Sequence, residues 1–164
     1  KVWPRNPISR RYQALDLGDA NLGRAIEVEQ PAAACLMLRR EAFDTIGGMD
    51  ERFHPAWFED VDLCKRLRDA HWHLYWLPDA RFHHVGKVAM RALGLREFSR
   101  VWYRNLDRYV AAHHGARTRL LVRLLVCVGM VERILIVGLV GHFREVLAYA
   151  AVLRGTLTGW RDRV

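Results

Sequence analysis

A chain of 164 residues, 51% hydrophobic and 27% charged, can hold one domain with a real core, and its composition excludes a disordered polymer. Its net charge of +8 and pI near 10.0 call for an anionic partner: nucleic acid, a membrane surface or a phosphorylated substrate. Cys35, Cys64 and Cys127 lie far apart with no C-x-x-C spacing, which disfavours a zinc site or disulfide framework and predicts buried thiols facing a reducing, cytosolic compartment.

In chain order, residues 1–30 read as irregular, punctuated by Pro4, Pro7, Gly18 and Gly23, with no secretory leader pattern at their start. The continuous apolar run over 32–38 predicts a buried strand. Arg39 to Ile46 predicts a short amphipathic helix with Ala42, Phe43 and Ile46 on one face. Gly47-Gly48 should end it, because glycine adopts the left-handed cap conformation at little cost. A loop over 49–58 carries Phe53, His54, Pro55 and Trp57. Glu59 to Ala70 predicts a helix with Leu63, Leu67 and Ala70 inward and Lys65, Arg66, Arg68 and Asp69 outward; acids at its start and bases toward its end suit the helix dipole. Residues 73–77 alternate like a strand that Pro78-Asp79 ends.

Beyond Gly86 the pattern turns helical. Arg96, Arg100, Arg104 and Arg108 recur every four residues as a basic stripe, and His113-His114-Gly115 closes the segment. Residues 117–164 hold eight arginines against three acids, so the basic excess concentrates there. The stretch 120–141 is strongly apolar but interrupted by Arg123, Glu132 and Arg133, and its clean runs of eight residues fall short of the roughly 20 that span a bilayer. A helix lying in the membrane interface fits, as does a buried hairpin.

Candidate chemistry concentrates between residues 33 and 86. Glu59, Asp60 and Asp62 place three carboxylates at one helix start, where like charges raise one another's pKa. Taken alone, they read equally as a site or as a solvated, dipole-favoured first turn.

The order of motifs is more specific. Arg39-Arg40-Glu41-Ala42-Phe43, Gly47 to Phe53, Phe58 to Leu63, Trp72 to Pro78 and His83 to Gly86 follow one another as in the family 2 glycosyltransferases. The stretch resembles the C-terminal, acceptor-side half of their GT-A catalytic domain, above all in rhamnosyltransferase-like members that build lipid-linked glycans or polysaccharides. The resemblance implies an α/β fold, with part of a GT-A domain over 1–90 and a helical tail over 91–164 that is a candidate for membrane association.

It also implies inverting transfer of a sugar from a nucleotide-sugar to a glycan or polyprenyl-diphosphate-linked acceptor. Asp60 would be the general base, with Glu59 orienting the acceptor or tuning Asp60. Gly47 and Gly48 would let the backbone approach the donor–acceptor junction, although a plain helix cap explains them too. Asp50 and Glu51 would contact acceptor hydroxyls or else pair with Arg39, Arg40 or Arg52. Trp57 and Phe58 would stack on sugar or belong to the core. A divalent metal, Mg2+ or Mn2+, would be held largely by the nucleotide-binding half, with His83, or His84 in the alternative register, completing its coordination.

Four positions depart from the family pattern: Ala33 and His71 replace glycines, Met49 replaces Phe, and Val88 replaces the closing Ser. Residues 1–30 hold neither nucleotide-binding βαβ units nor the metal-binding Asp-x-Asp. The expectation is therefore part of a longer enzyme, inactive alone, peripheral on the cytoplasmic side of the membrane. A non-catalytic binding or scaffold module is the alternative. Nucleic acid is not an expected partner, since no helix-turn-helix, zinc or RNP pattern accompanies the charge.

Overall fold

The computed structural model describes residues 24–31, 33–85 and 93–160. The readings of residues 1–23, of Gly86 and of Val88 lie outside them. The described residues are mostly helical, with one two-stranded sheet.

Strand β1 (Ile26–Glu27) pairs antiparallel with β2 (Tyr75–Trp76), Ile26 opposite Trp76 and Glu27 opposite Tyr75. The predicted strand at 73–77 is thus found, shortened. Its partner lies in a segment that reads as irregular, because two residues are too few to show a period. The strand expected over 32–38 is not found among the described residues. Residues 33–35 turn, and Met37 is 96% exposed while Leu36 and Leu38 lie against the core. An apolar run becomes a strand only where a neighbour supplies ladder hydrogen bonds, and the only described ladder is β1–β2.

Helix α1 (Arg40–Thr45) buries Ala42 and half-buries Phe43. Gly47 and Gly48 end it at φ +74° and +78°, the Gly48 N–H donating to the Phe43 carbonyl at 3.0 Å. Helix α2 (Glu59–Asp69) buries Leu63, Cys64 and Leu67, which meet Ala42 and Leu74 in a small core bordered by Val28, Ile46 and Trp72. His71 follows α2 at φ +62°, a left-handed position where the family pattern has glycine. Burial pushes the Cys64 thiol up to about 11, with Asp60 adding to the shift, so it is an inert core thiol. The expectation of buried cysteines fails at Cys35, which the turn leaves exposed.

Three longer helices follow: α3 (Leu95–His113), α4 (Ala116–Leu139) and α5 (Phe143–Thr158). The last two form an antiparallel hairpin that packs on α3. Ala148 and Val152 of α5 are fully buried, and Met130 of α4 nearly so. The interruptions at Arg123, Glu132 and Arg133 do not break α4. Arg119 and Arg123 turn inward, their guanidinium groups meeting the Asp107 carboxylate at 2.8–3.3 Å. The Leu120, Leu124, Val128 and Leu135 side chains instead face outward, each more than half exposed. None of the described helices is long and apolar enough to cross a membrane.

The four-residue arginine stripe is not a continuous surface. A spacing of four advances about 40° per step round the helix, so the stripe winds from solvent into a seam. Arg96 is exposed, Arg100 meets Glu97, Arg104 is buried, and Arg108 donates to the Arg52 carbonyl.

Candidate functional site

The loop before α2 begins with Asp50, which caps a short 3-10 helix over Glu51–Phe53 by accepting from the Arg52 N–H at 3.0 Å. The same carboxylate takes the Arg52 guanidinium at 2.6–3.0 Å, and these hydrogen bonds hold Asp50 below its ordinary pKa. Of the pairings open to Asp50, the one with Arg52 is formed. Glu51 is exposed.

Helix α3 holds the remainder of this loop by its carbonyls. The Asn105 side-chain amide donates to Phe53, Ala56 and Trp57 at 2.6, 2.8 and 3.1 Å, and Arg104 donates to His54 at 2.6 Å. These carbonyls have turned away from helical or sheet partners, and a buried carbonyl without a donor is costly. Trp57 and Phe58 then both take positive φ, 69° and 72°. Each such conformation costs a non-glycine residue about 1–2 kcal/mol. Ring packing on α3 offsets the strain: Trp57 meets Phe98 edge-on at 4.7 Å, and Phe58 meets Trp102 and Tyr109 at 5.3 and 5.8 Å. The contacts of both rings are therefore those of packing residues.

The left-handed pair delivers the chain into α2 with Glu59 and Asp60 in its first turn. Asp60 is half-buried, its Oδ1 accepting from the Val61 N–H at 2.8 Å and its Oδ2 from the Ala33 N–H at 3.3 Å. Burial raises the pKa of Glu59, its own backbone N–H partly opposes this, and the Asp60 charge raises it further. One Glu59 oxygen, Oε2, is buried without a hydrogen-bond partner among the described residues.

The third carboxylate has a different task. Asp62 is 2% exposed, and its two oxygens bind Arg66 at 2.7 Å and the His113 Nε2 at 2.6 Å. Arg66 is not the outward residue that its helical position predicts. Its Nη1 donates to the Ile46 and Gly48 carbonyls at 2.7 and 2.8 Å, tying α2 to the Gly47-Gly48 turn. One buried carboxylate thus links that turn, the acid helix and the end of α3.

His83 and His84 are exposed in the segment after β2. Among the described residues no group of three His, Cys, Asp or Glu side chains is placed to hold a metal ion, so they do not form a complete metal site. The residues that the sequence did not single out are Asn105, Arg66 and His113. Asn105, a weak helix former between aromatics in a long helix, carried the one local signal.

Residues 15–90 match a glycosyltransferase family model described as the N-terminal domain of galactosyltransferase. The chain is 37% identical over 84 residues to an N-acetylglucosaminyl-diphospho-decaprenol L-rhamnosyltransferase of Mycobacterium tuberculosis, covering 50% of this chain and 25% of that protein. It is 34% identical over 95 residues to the pre-mycofactocin glycosyltransferase of the same species, covering 55% of this chain and 20% of that protein. The chain therefore spans a quarter or less of the length of these curated relatives. No solved structure matches. Both named relatives are glycosyltransferases, in agreement with the motif order read from the sequence.

Proposed function

We propose, for a chain whose residues 15–90 are glycosyltransferase-like in sequence, that it is the acceptor-side part of an inverting nucleotide-sugar transferase with Asp60 as its general base. The observation that carries this reading is the isolation of Asp60 from positive charge. Asp50, Asp62, Asp69 and Asp107 each sit against a basic side chain, whereas Asp60 accepts only from backbone N–H groups among the described residues. With no described salt-bridge partner competing for its oxygens, the Asp60 carboxylate is left to take the proton when an acceptor hydroxyl attacks the anomeric carbon.

Glu59, raised in pKa and adjacent, orients the acceptor, and Arg66 ties the Gly47-Gly48 turn to the same helix. In this reading residues 1–90 are the acceptor-side half of a GT-A domain, and the half that binds the nucleotide-sugar donor belongs to the remainder of the protein. A divalent metal would draw at most one ligand here, from His83 or His84, and the chemistry assigned to Asp60 does not run through it. The diphospho-decaprenol named for one relative supports a lipid-diphosphate-linked acceptor. The outward leucines of α4 support a peripheral position on a membrane surface, which this reading puts on the cytoplasmic side.

The test is Asp60→Asn in the full-length protein. Sugar transfer should fall by about 10²–10⁴-fold, with donor binding nearly unchanged. Turnover equal to the parent's would remove Asp60 from the mechanism.

A further inference from the structure

Helix α3 has two working faces. Phe98, Trp102, Asn105 and Tyr109 meet the loop before the acid pair, while Arg96, Arg100, Tyr103 and Asp107 lie on the other side, where α4 and α5 pack. On that second side, at the start of α3, two adjoining cavities of about 730 and 710 Å³ open between α3 and α5. Both are lined by Arg96, Arg100 and Leu147; Arg144 borders the first and Arg154 the second.

Four guanidinium groups thus share one groove with two carboxylates, Glu97 and Glu145, and both carboxylates are engaged. Glu97 meets Arg100 at 3.4 Å, and Glu145 meets His142 at 3.1 Å. No described carboxylate lies within ion-pair distance of Arg96, Arg144 or Arg154. Gathering like charges around a concave surface is unfavourable unless an anion relieves them.

The Trp160 ring closes one end of the groove. Trp160 folds back onto α5 over Gly155, where an added Cβ would lie 2.6 Å from the ring's Cε3. Its indole N–H is buried with no partner among the described residues. A mid-helix glycine costs about 1 kcal/mol against alanine, and here its missing side chain is what seats the indole. Between the arginines the wall is apolar, formed by Leu95, Leu147, Ala150 and Ala151.

We infer that this groove binds a phosphate or diphosphate group, the arginines donating to its oxygens and the aliphatic wall accepting an attached apolar chain. The site lies on the opposite face of α3 from the contacts to the loop before Asp60, and it stands without the transfer reading because its occupancy needs no sugar donor.

Titration calorimetry on the full chain tests it with inorganic pyrophosphate and with farnesyl diphosphate. Both should bind the parent. The triple variant R96Q/R144Q/R154Q should weaken both by at least about tenfold, the size of one lost charge-assisted contact. Arg117→Gln, which removes an exposed arginine outside the groove, should change neither. Tighter binding of farnesyl diphosphate assigns a lipid-borne phosphate, and equal binding assigns a free one. Circular dichroism of the variant must match the parent, and should the triple variant misfold, R96Q/R154Q replaces it in the same comparison. No binding by the parent, or an equal loss in Arg117→Gln, overturns the inference.

Discussion

Helices α2 and α4 arrange the same kinds of residue in opposite ways. In α2 the Leu63, Cys64 and Leu67 side chains face the core, and the exposed end carries Lys65 paired with Asp69. In α4 the arginines 119 and 123 face inward onto one carboxylate, while Leu121, Leu125, Val128, Leu135 and Leu139 face out. The first arrangement suits water. The second turns ion pairs inward and leaves an apolar stripe about 27 Å long, from Leu121 to Leu139, with no covering among the described residues. A contiguous apolar surface of that kind marks an interaction face. The acid-bearing half of the chain and its helical half therefore differ in what they show to the outside: a charged, water-suited surface in one case, an apolar stripe in the other.

The contrast can be broken most severely at Asp62, the buried carboxylate that ties the acid helix to the end of α3. Asp62→Ala leaves Arg66 and His113 without their shared carboxylate and should cost about 3–5 kcal/mol in urea unfolding. A loss under about 1 kcal/mol would mean that the halves are held together by other contacts. The next effect is smaller and depends on pH. The raised pKa of Glu59 means that the folded state favours its protonated form, so its ionisation opposes folding. The stability it contributes is fully present below the ordinary value of 4.5 and is lost as pH rises through the folded value. Glu59→Gln should therefore raise Tm at pH 7 and leave it unchanged at pH 4, and a uniform shift at both would contradict a burial origin. The smallest effect on folding belongs to α4. Leu124→Gln with Leu135→Gln should alter stability by less than about 0.5 kcal/mol each, yet reduce co-sedimentation with anionic vesicles. Full retention on vesicles would detach this face from the membrane.

Much of the acid-bearing region was legible because its signals are local. The helix over 40–45, the Gly47-Gly48 stop and the acid-first helix at 59–69 each follow from spacing within a few residues. The run over 32–38 misled because apolarity says nothing about whether a ladder partner exists. Asp60 and Asp62 look alike in sequence, and only His113, 51 residues downstream, and the inward Arg66 distinguish an open carboxylate from a tether. The arginine stripe misled in the same way, since four-residue spacing fixes an angle and not what lies beside it.

Asn105 has a consequence in time. The three carbonyls that it satisfies lie 48–52 residues earlier in the chain. As the polypeptide emerges from the ribosome, the acid helix and its small core are complete well before α3 exists. The left-handed turn at Trp57 and Phe58 has nothing to hold it until then. At a synthesis rate of roughly 5–20 residues per second, Glu59 and Asp60 wait several seconds for the amide that fixes their approach. The geometry at the acid pair is thus a late product of folding, set by a side chain outside residues 39–86.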